Sequence, residues 1–142
     1  MNDRSFLDTN VFVYSVDRTE PAKVRRATQL INDAVRTGKG VVSYQVVQEF
    51  FHVALRRFAQ PMTSADAEQY LLTVFRPLLA IHSSEGIFLA ALRLQARYRF
   101  SWYDSLIVAA ALHANCGVLY SEDLQHGQKI ESLKIVNPFL AP

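Results

Sequence analysis

The chain has 142 residues, half of them hydrophobic and 20% charged, with a formal net charge of +2 and a pI near 8.8. That length fits one domain, residues 1–142, burying roughly 68–70% of its unfolded surface, and the apolar content excludes a disordered chain. The mild positive charge tolerates nucleic acid without requiring it, and the single cysteine, Cys116, excludes an intrachain disulfide.

No basic, apolar leader and no apolar run of membrane length is present, so the expected setting is the reducing cytoplasm, with no membrane partner. Short apolar runs bounded by Gly, Ser or Asn alternate with stretches at helical spacing. The first run, SFLDT, is a predicted strand around Phe6. After Pro21, the residues Val24, Ala27, Leu30, Ile31, Ala34 and Val35 predict a helix that Gly38 stops. GVVSY near Val42 is the second strand; Val47, Phe50, Ala54 and Phe58 then mark one helix, and Ala67, Tyr70, Leu71, Val74 and Phe75 another, ended by Pro77. LLAIH near Ala80 is the third strand. Ile87 to Tyr98 and Leu106 to Leu112 read as a helix pair, the second closed by Asn115-Cys116-Gly117, with Gly117 expected in the left-handed turn. GVLYS near Leu119 and LKIVN near Ile135 complete about five strands. Such alternation predicts an α/β fold: a mostly parallel sheet whose right-handed crossovers put helices on both faces.

Ligand sites in such sheets form beyond the carboxyl ends of the strands. Asp8 follows the first strand, and Asp123, with Ser121 and Glu122, follows the fourth. The helix containing Asp104 runs into the fourth strand, so it begins at that same edge, and Glu49 lies early in the helix leaving the second strand. Gln45, Glu49, His52 and Arg56 form a polar stripe on that helix, opposite Phe50 and Ala54. Each acid alone has a plainer reading: Asp8-Thr9-Asn10 as a turn, Ser101 to Asp104 as a capping box, Ser121 to Asp123 as a helix start, and Glu49 as a solvated helix residue. Together they read differently, because two carboxylates about 4 Å apart repel by roughly 4 kcal/mol at an effective dielectric of 20. A divalent cation relieves that repulsion, and an all-oxygen donor set indicates Mg2+ or Mn2+. The histidines at 52, 82, 113 and 126 show no zinc-type pairing.

FLDTNVFVYSVD, SYQVVQEFFHV, WYDSLIVAAALHANCGVLYSEDLQHG and IVNPF together resemble the PIN-domain nucleases, and most of all the VapC-type toxins of bacterial toxin–antitoxin pairs. The resemblance covers nearly the whole chain. It implies a three-layer α/β/α sandwich and a metal-dependent ribonuclease whose acidic quartet is Asp8, Glu49, Asp104 and Asp123, with Asn10 and Ser121 as polar companions. Asp123 fits the family's Ser/Thr-x-Asp register, and the adjacent Glu122 stays as a second candidate. Asp8, Asp104 and Asp123 are the expected metal ligands, with Glu49 on a second ion or on the attacking water. RNA is expected along the positive residues beside the cleft, Arg56 first, with Arg57 and Arg97 as alternatives. The resemblance further implies a homodimer and a cognate antitoxin whose tail enters the site.

Three other readings compete. A haloacid-dehalogenase-type phosphatase wants a second aspartate where Asn10 stands, and a receiver-like regulator wants an acceptor aspartate where His82 and Ser83 stand. A non-catalytic PIN-like binding module is the remaining alternative.

Overall fold

The structure is a computed structural model that describes residues 3–58 and 60–140. In chain order the elements are β1 (Ser5–Leu7), α1 (Thr9–Val16), α2 (Pro21–Thr37), β2 (Gly40–Ser43), α3 (Tyr44–Ala54) and α4 (Ser64–Tyr70). A π-helical turn (Leu71–Phe75) carries α4 into α5 (Arg76–Leu78), followed by β3 (Leu79–Ile81), α6 (Glu85–Tyr98), α7 (Trp102–His113), β4 (Val118–Tyr120), β5 (Lys129–Ile130) and β6 (Leu133–Val136).

The sheet order is β3-β2-β1-β4-β6-β5, parallel throughout except for the β5–β6 pair. Successive strand residues point to opposite faces, so a strand buried at consecutive positions must be covered on both sides. Phe6 and Leu7 are 0% and 1% exposed, and Val41 and Val42 are 2% and 0%, which gives the three-layer α/β/α sandwich. α6 packs along α7, which lies against β2 and β4, while α1 packs against α2 and α3. No helix among the described residues is long and apolar enough to cross a membrane.

The expected helices form, with several differences. α3 ends at Ala54, so Arg56 and Phe58 lie beyond it, and Pro77 sits within α5 rather than ending a helix. Residues 9–16 are helical although they read as little more than a turn, since a short segment rich in Val shows no clear helical period. Its helix is fixed by burial of Val11 and Phe12 and by Asp8 at its N-cap. The sixth strand, β5, has two residues and pairs with β6 through a tight turn in which Glu131 takes φ 55. After α7 the left-handed residue is Asn115, φ 57, rather than Gly117; the short Asn side chain tolerates that region. The aromatic run after β2 belongs to the core, with Phe50 and Tyr70 stacked at 4.7 Å and Phe12 and Phe75 4.9 Å apart.

Gly40 marks the closest approach of β2 to α2. A Cβ there would stand 2.3 Å from the Ala34 Cβ and 3.1 Å from the Leu78 Cδ2. Gly40→Ala is therefore expected to lower stability by about 1–3 kcal/mol in urea unfolding, with an unchanged m-value.

Candidate active site

The chain runs β1, β2, β3 toward one edge and then returns to place β4 on the other side of β1. Strand order reverses between β1 and β4, and a crevice opens beyond their carboxyl ends. Asp8 leaves β1 at this point, and Ser121 to Asp123 leave β4 beside it, joined by the Asp8 N–H donating to the Tyr120 carbonyl at 3.0 Å.

Asp8 is only 5% exposed. Its Oδ1 accepts the Thr9 N–H at 2.7 Å, capping α1, and its Oδ2 accepts the Ser121 hydroxyl at 2.9 Å. The Ser121 oxygen in turn accepts the Asp123 N–H at 3.3 Å, and Asn10 Nδ2 donates to Asp123 Oδ2 at 3.0 Å. Asn10 and Ser121 thus tie the start of α1 to the end of β4 and set the orientation of both aspartates. Ser101 caps α7 by accepting the Asp104 N–H at 3.1 Å, so the capping reading of that segment is also right, while the Asp104 carboxylate faces the crevice. Gln45 Nε2 donates to Glu49 Oε1 at 2.6 Å and to the Tyr103 carbonyl at 3.2 Å, bridging α3 and α7.

Asp8, Glu49, Asp104 and Asp123 line one depression of about 190 Å³, together with Thr9, Asn10 and Tyr103. Glu122 does not join them. Its carboxylate is held by the Tyr14 hydroxyl at 2.5 Å and Lys23 Nζ at 2.7 Å, and those two partners outweigh burial to hold it below the usual glutamate range. Glu122 is thereby an anchor between α1, α2 and the β4 end. Arg57, with Gln48 and His52, lines the shallow groove adjoining the acids, while Arg56 is exposed on the same turn after α3. Arg97 lies at the far end of α6 over the Tyr98 ring. His126 Nδ1 accepts the Asn137 N–H at 3.0 Å, which fixes the IVNPF segment.

The electrostatics follow from this crowding. Burial raises the Asp8 carboxyl to about 7 against the hydrogen bonds from Thr9 and Ser121, with the charges of Glu49 and Asp123 adding to the rise. Burial, then Asp104 and Asp123, raise Glu49; burial, then Asp104, raise Asp123. Three carboxyls thus hold their protons more tightly than usual, first because burial disfavours their charged forms and then because neighbouring negative charges add to the rise.

Among the described residues no three His, Cys, Asp or Glu side chains converge tightly enough to hold one ion between them. Repulsion among carboxylates favours that spread. The donor set nevertheless fits a hard cation: it is all oxygen, its charges are mutually unfavourable, and Mg2+ commonly keeps several waters while taking one or two protein carboxylates. Thr9 and Tyr103 were not picked out from the sequence as site residues, although each directly adjoins an acid that was.

A family profile described as "PIN domain" matches residues 5–129. No curated protein matches the sequence. Among solved structures, a toxin–antitoxin complex from Klebsiella pneumoniae is similar at 18% identity and a TM-score of 0.68, over 94% of this chain and 97% of that one. VapC20 of Mycobacterium tuberculosis, a sarcin–ricin-loop-cleaving toxin, is similar at 17% identity and 0.64, over 82% and 88%. VapBC2 from Rickettsia felis, bound to a DNA fragment from its promoter, is similar at 17% and 0.62, over 92% and 96%. At these identities the likeness is one of fold, whereas the profile spans the chain from β1 to the start of β5 and takes in all four acids. The chain belongs to the PIN-domain family.

Proposed function

We propose that this chain is a ribonuclease that hydrolyses RNA phosphodiester bonds with Mg2+ or Mn2+, as the toxin of a toxin–antitoxin pair. The observation that carries the reading is the placing of Asp8, Glu49, Asp104 and Asp123, from four separate elements, around one depression at the switch point of the sheet. Family membership and the likeness to a sarcin–ricin-loop-cleaving toxin support it, and the similar toxin–antitoxin complexes support an antitoxin partner. A homodimer in the cytoplasm belongs to the same proposal.

In this reading Asp8, Asp104 and Asp123 would share the cation, one or two of them directly and the rest through its waters, and Glu49 would hold a second ion or orient the attacking water. A bound divalent cation supplies a water of lowered pKa and charge relief on the phosphoryl oxygens. Ser121 keeps Asp8 aimed at the crevice, and Asn10 does the same for Asp123. Arg57, with Arg56 on the same turn, meets the RNA backbone beside the acids.

The purified chain, free of any partner, is expected to cleave single-stranded or looped RNA with Mg2+ or Mn2+ and to stop in EDTA. Intact RNA after incubation with either ion would leave the non-catalytic binding module as the better reading. Asp123→Asn is expected to lose more than ~100-fold in rate, and Ser121→Ala about 10–100-fold, as partners that orient a ligand commonly do. Glu122→Gln is expected to retain near wild-type cleavage, because its carboxylate is turned toward Lys23 and Tyr14.

A further inference from the structure

A second pocket, of about 250 Å³, opens between the carboxyl ends of β2 and β3 and the first turns of α6 and α7. It adjoins the acidic depression, sharing Gln45 and Tyr103 with it. Among the described residues no Asp, Glu, Lys or Arg lines it. Its walls are aromatic, with Tyr44, Phe88 and Tyr103 left 46%, 45% and 65% exposed and Trp102 half-buried beside them. These rings are not closed on one another: Tyr44 and His82 stand 6.3 Å apart at 41°, and Phe88 and Trp102 6.2 Å apart at 32°, unlike the core pair Phe50 and Tyr70 at 4.7 Å and 10°. Gln48, His82 and Ser83 add side chains able to donate or accept hydrogen bonds, while the Ser43 hydroxyl is buried beneath the wall.

We propose that this pocket receives a nucleobase of the RNA strand next to the phosphate held at the acids, stacked against Trp102 and its aromatic neighbours and hydrogen-bonded along one edge. The proposal rests on the nuclease reading above and names the substrate class that site takes: an unpaired, splayed base. An uncharged aromatic slot suits a base, whose faces stack and whose edge seeks donors and acceptors, and it offers nothing to a phosphate. The edge of a base needs donors and acceptors, and the Gln48 amide, the His82 ring and the Ser83 hydroxyl lining the pocket carry them. The Gln45 amide, fixed on Glu49 and the Tyr103 carbonyl, holds the aromatic wall at a set distance from the acids, so one strand can engage both. Double-stranded RNA keeps its bases stacked and is expected to be excluded.

Trp102 is the chain's only tryptophan and reports on the pocket directly. The wild-type chain is titrated in EDTA with short single-stranded oligoribonucleotides, intact or with one abasic nucleotide moved along the strand, while Trp102 emission is followed. Cleavage of the same strands is measured separately with Mg2+. Saturable quenching that is lost when the abasic position reaches one fixed place beside the cleaved bond is the expected result. Tyr103→Ala and Tyr44→Ala, both truncating exposed rings, are expected to weaken binding roughly 5- to 100-fold with an unchanged circular dichroism spectrum. Cleavage without quenching, or quenching indifferent to the abasic position, would overturn the base pocket and leave the nuclease reading standing. Position-dependent quenching without cleavage would support the pocket and overturn the nuclease. Emission that follows protein concentration and ignores RNA would show a second copy of the chain covering the pocket, and that too would overturn it.

Discussion

Asp8→Asn is expected to abolish RNA cleavage, by more than ~100-fold, while the fold is kept and the melting temperature at neutral pH is unchanged or raised. The substitution is nearly isosteric. The amide oxygen can still accept the Thr9 N–H that caps α1, and the Ser121 hydroxyl, now facing an NH2 group, can rotate to accept from it. What disappears is the negative charge at a site only 5% exposed, whose solvation cost already raises its pKa to about 7. Removing a buried charge relieves the folded state, and in the proposed mechanism it also removes a cation ligand and so disables the reaction. Stability and activity therefore move in opposite directions, as strained sites commonly require. A variant with wild-type turnover would eliminate Asp8 from the chemistry. One that melted early would show that its carboxylate serves mainly as the cap of α1. Melting curves by circular dichroism, with initial rates on a labelled RNA, separate these outcomes.

The sheet and most helices were legible because burial on both faces leaves short, unbroken apolar runs, while the crossover helices keep a clear apolar stripe, as Ala27, Leu30, Ile31 and Ala34 do. Elements fixed by tertiary contacts were not. α1 is short and rich in Val, and only its packing on α2 and α3 with the Asp8 cap selects the helix. β5 has two residues and exists through its pairing with β6. The acids were placed from topology, since strand ends and helix starts at one edge can be counted along the chain. The choice between Glu122 and Asp123 could not be made from the residues alone, because neighbours at a strand end point in different directions. The structure turns Glu122 onto Lys23 and Tyr14 and Asp123 into the crevice. A lysine 99 positions away in sequence carries no local signal of that pairing. Similarly, the aromatic pocket is assembled from residues between Ser43 and Ala110, most of which look like ordinary core material in isolation.

The burial of Asp8, with its neighbouring carboxyls adding to the effect, makes the metal-free protein less stable as pH rises, the reverse of ordinary acid denaturation. Asp8 titrates near 3.8 when unfolded and near 7 when folded, so between those values the native state binds more protons than the unfolded one. Stability is then full below about pH 4 for this group and is lost as pH rises toward 7. The loss has an upper bound of about 4 kcal/mol, at ~1.4 kcal/mol for each pH unit. Glu49 and Asp123 are also raised and act in the same sense, each smaller because it is less buried. Glu122 is lowered and works the other way, but its pair with Lys23 is partly exposed and screened. A divalent cation competes with those protons, so its stabilisation grows as the carboxyls ionise and reaches about 2.7 kcal/mol at a hundred times its dissociation constant. Thermal melts in EDTA are expected to fall from pH 5 to pH 7.5, with Mg2+ or Mn2+ restoring little at the lower pH and much at the higher. Asp8→Asn should flatten the EDTA profile and shrink the restoration by either ion. Equal metal-induced shifts at both pH values, or a profile that Asp8→Asn leaves as steep as before, would mean that the four acids do not act as one electrostatic unit around a cation.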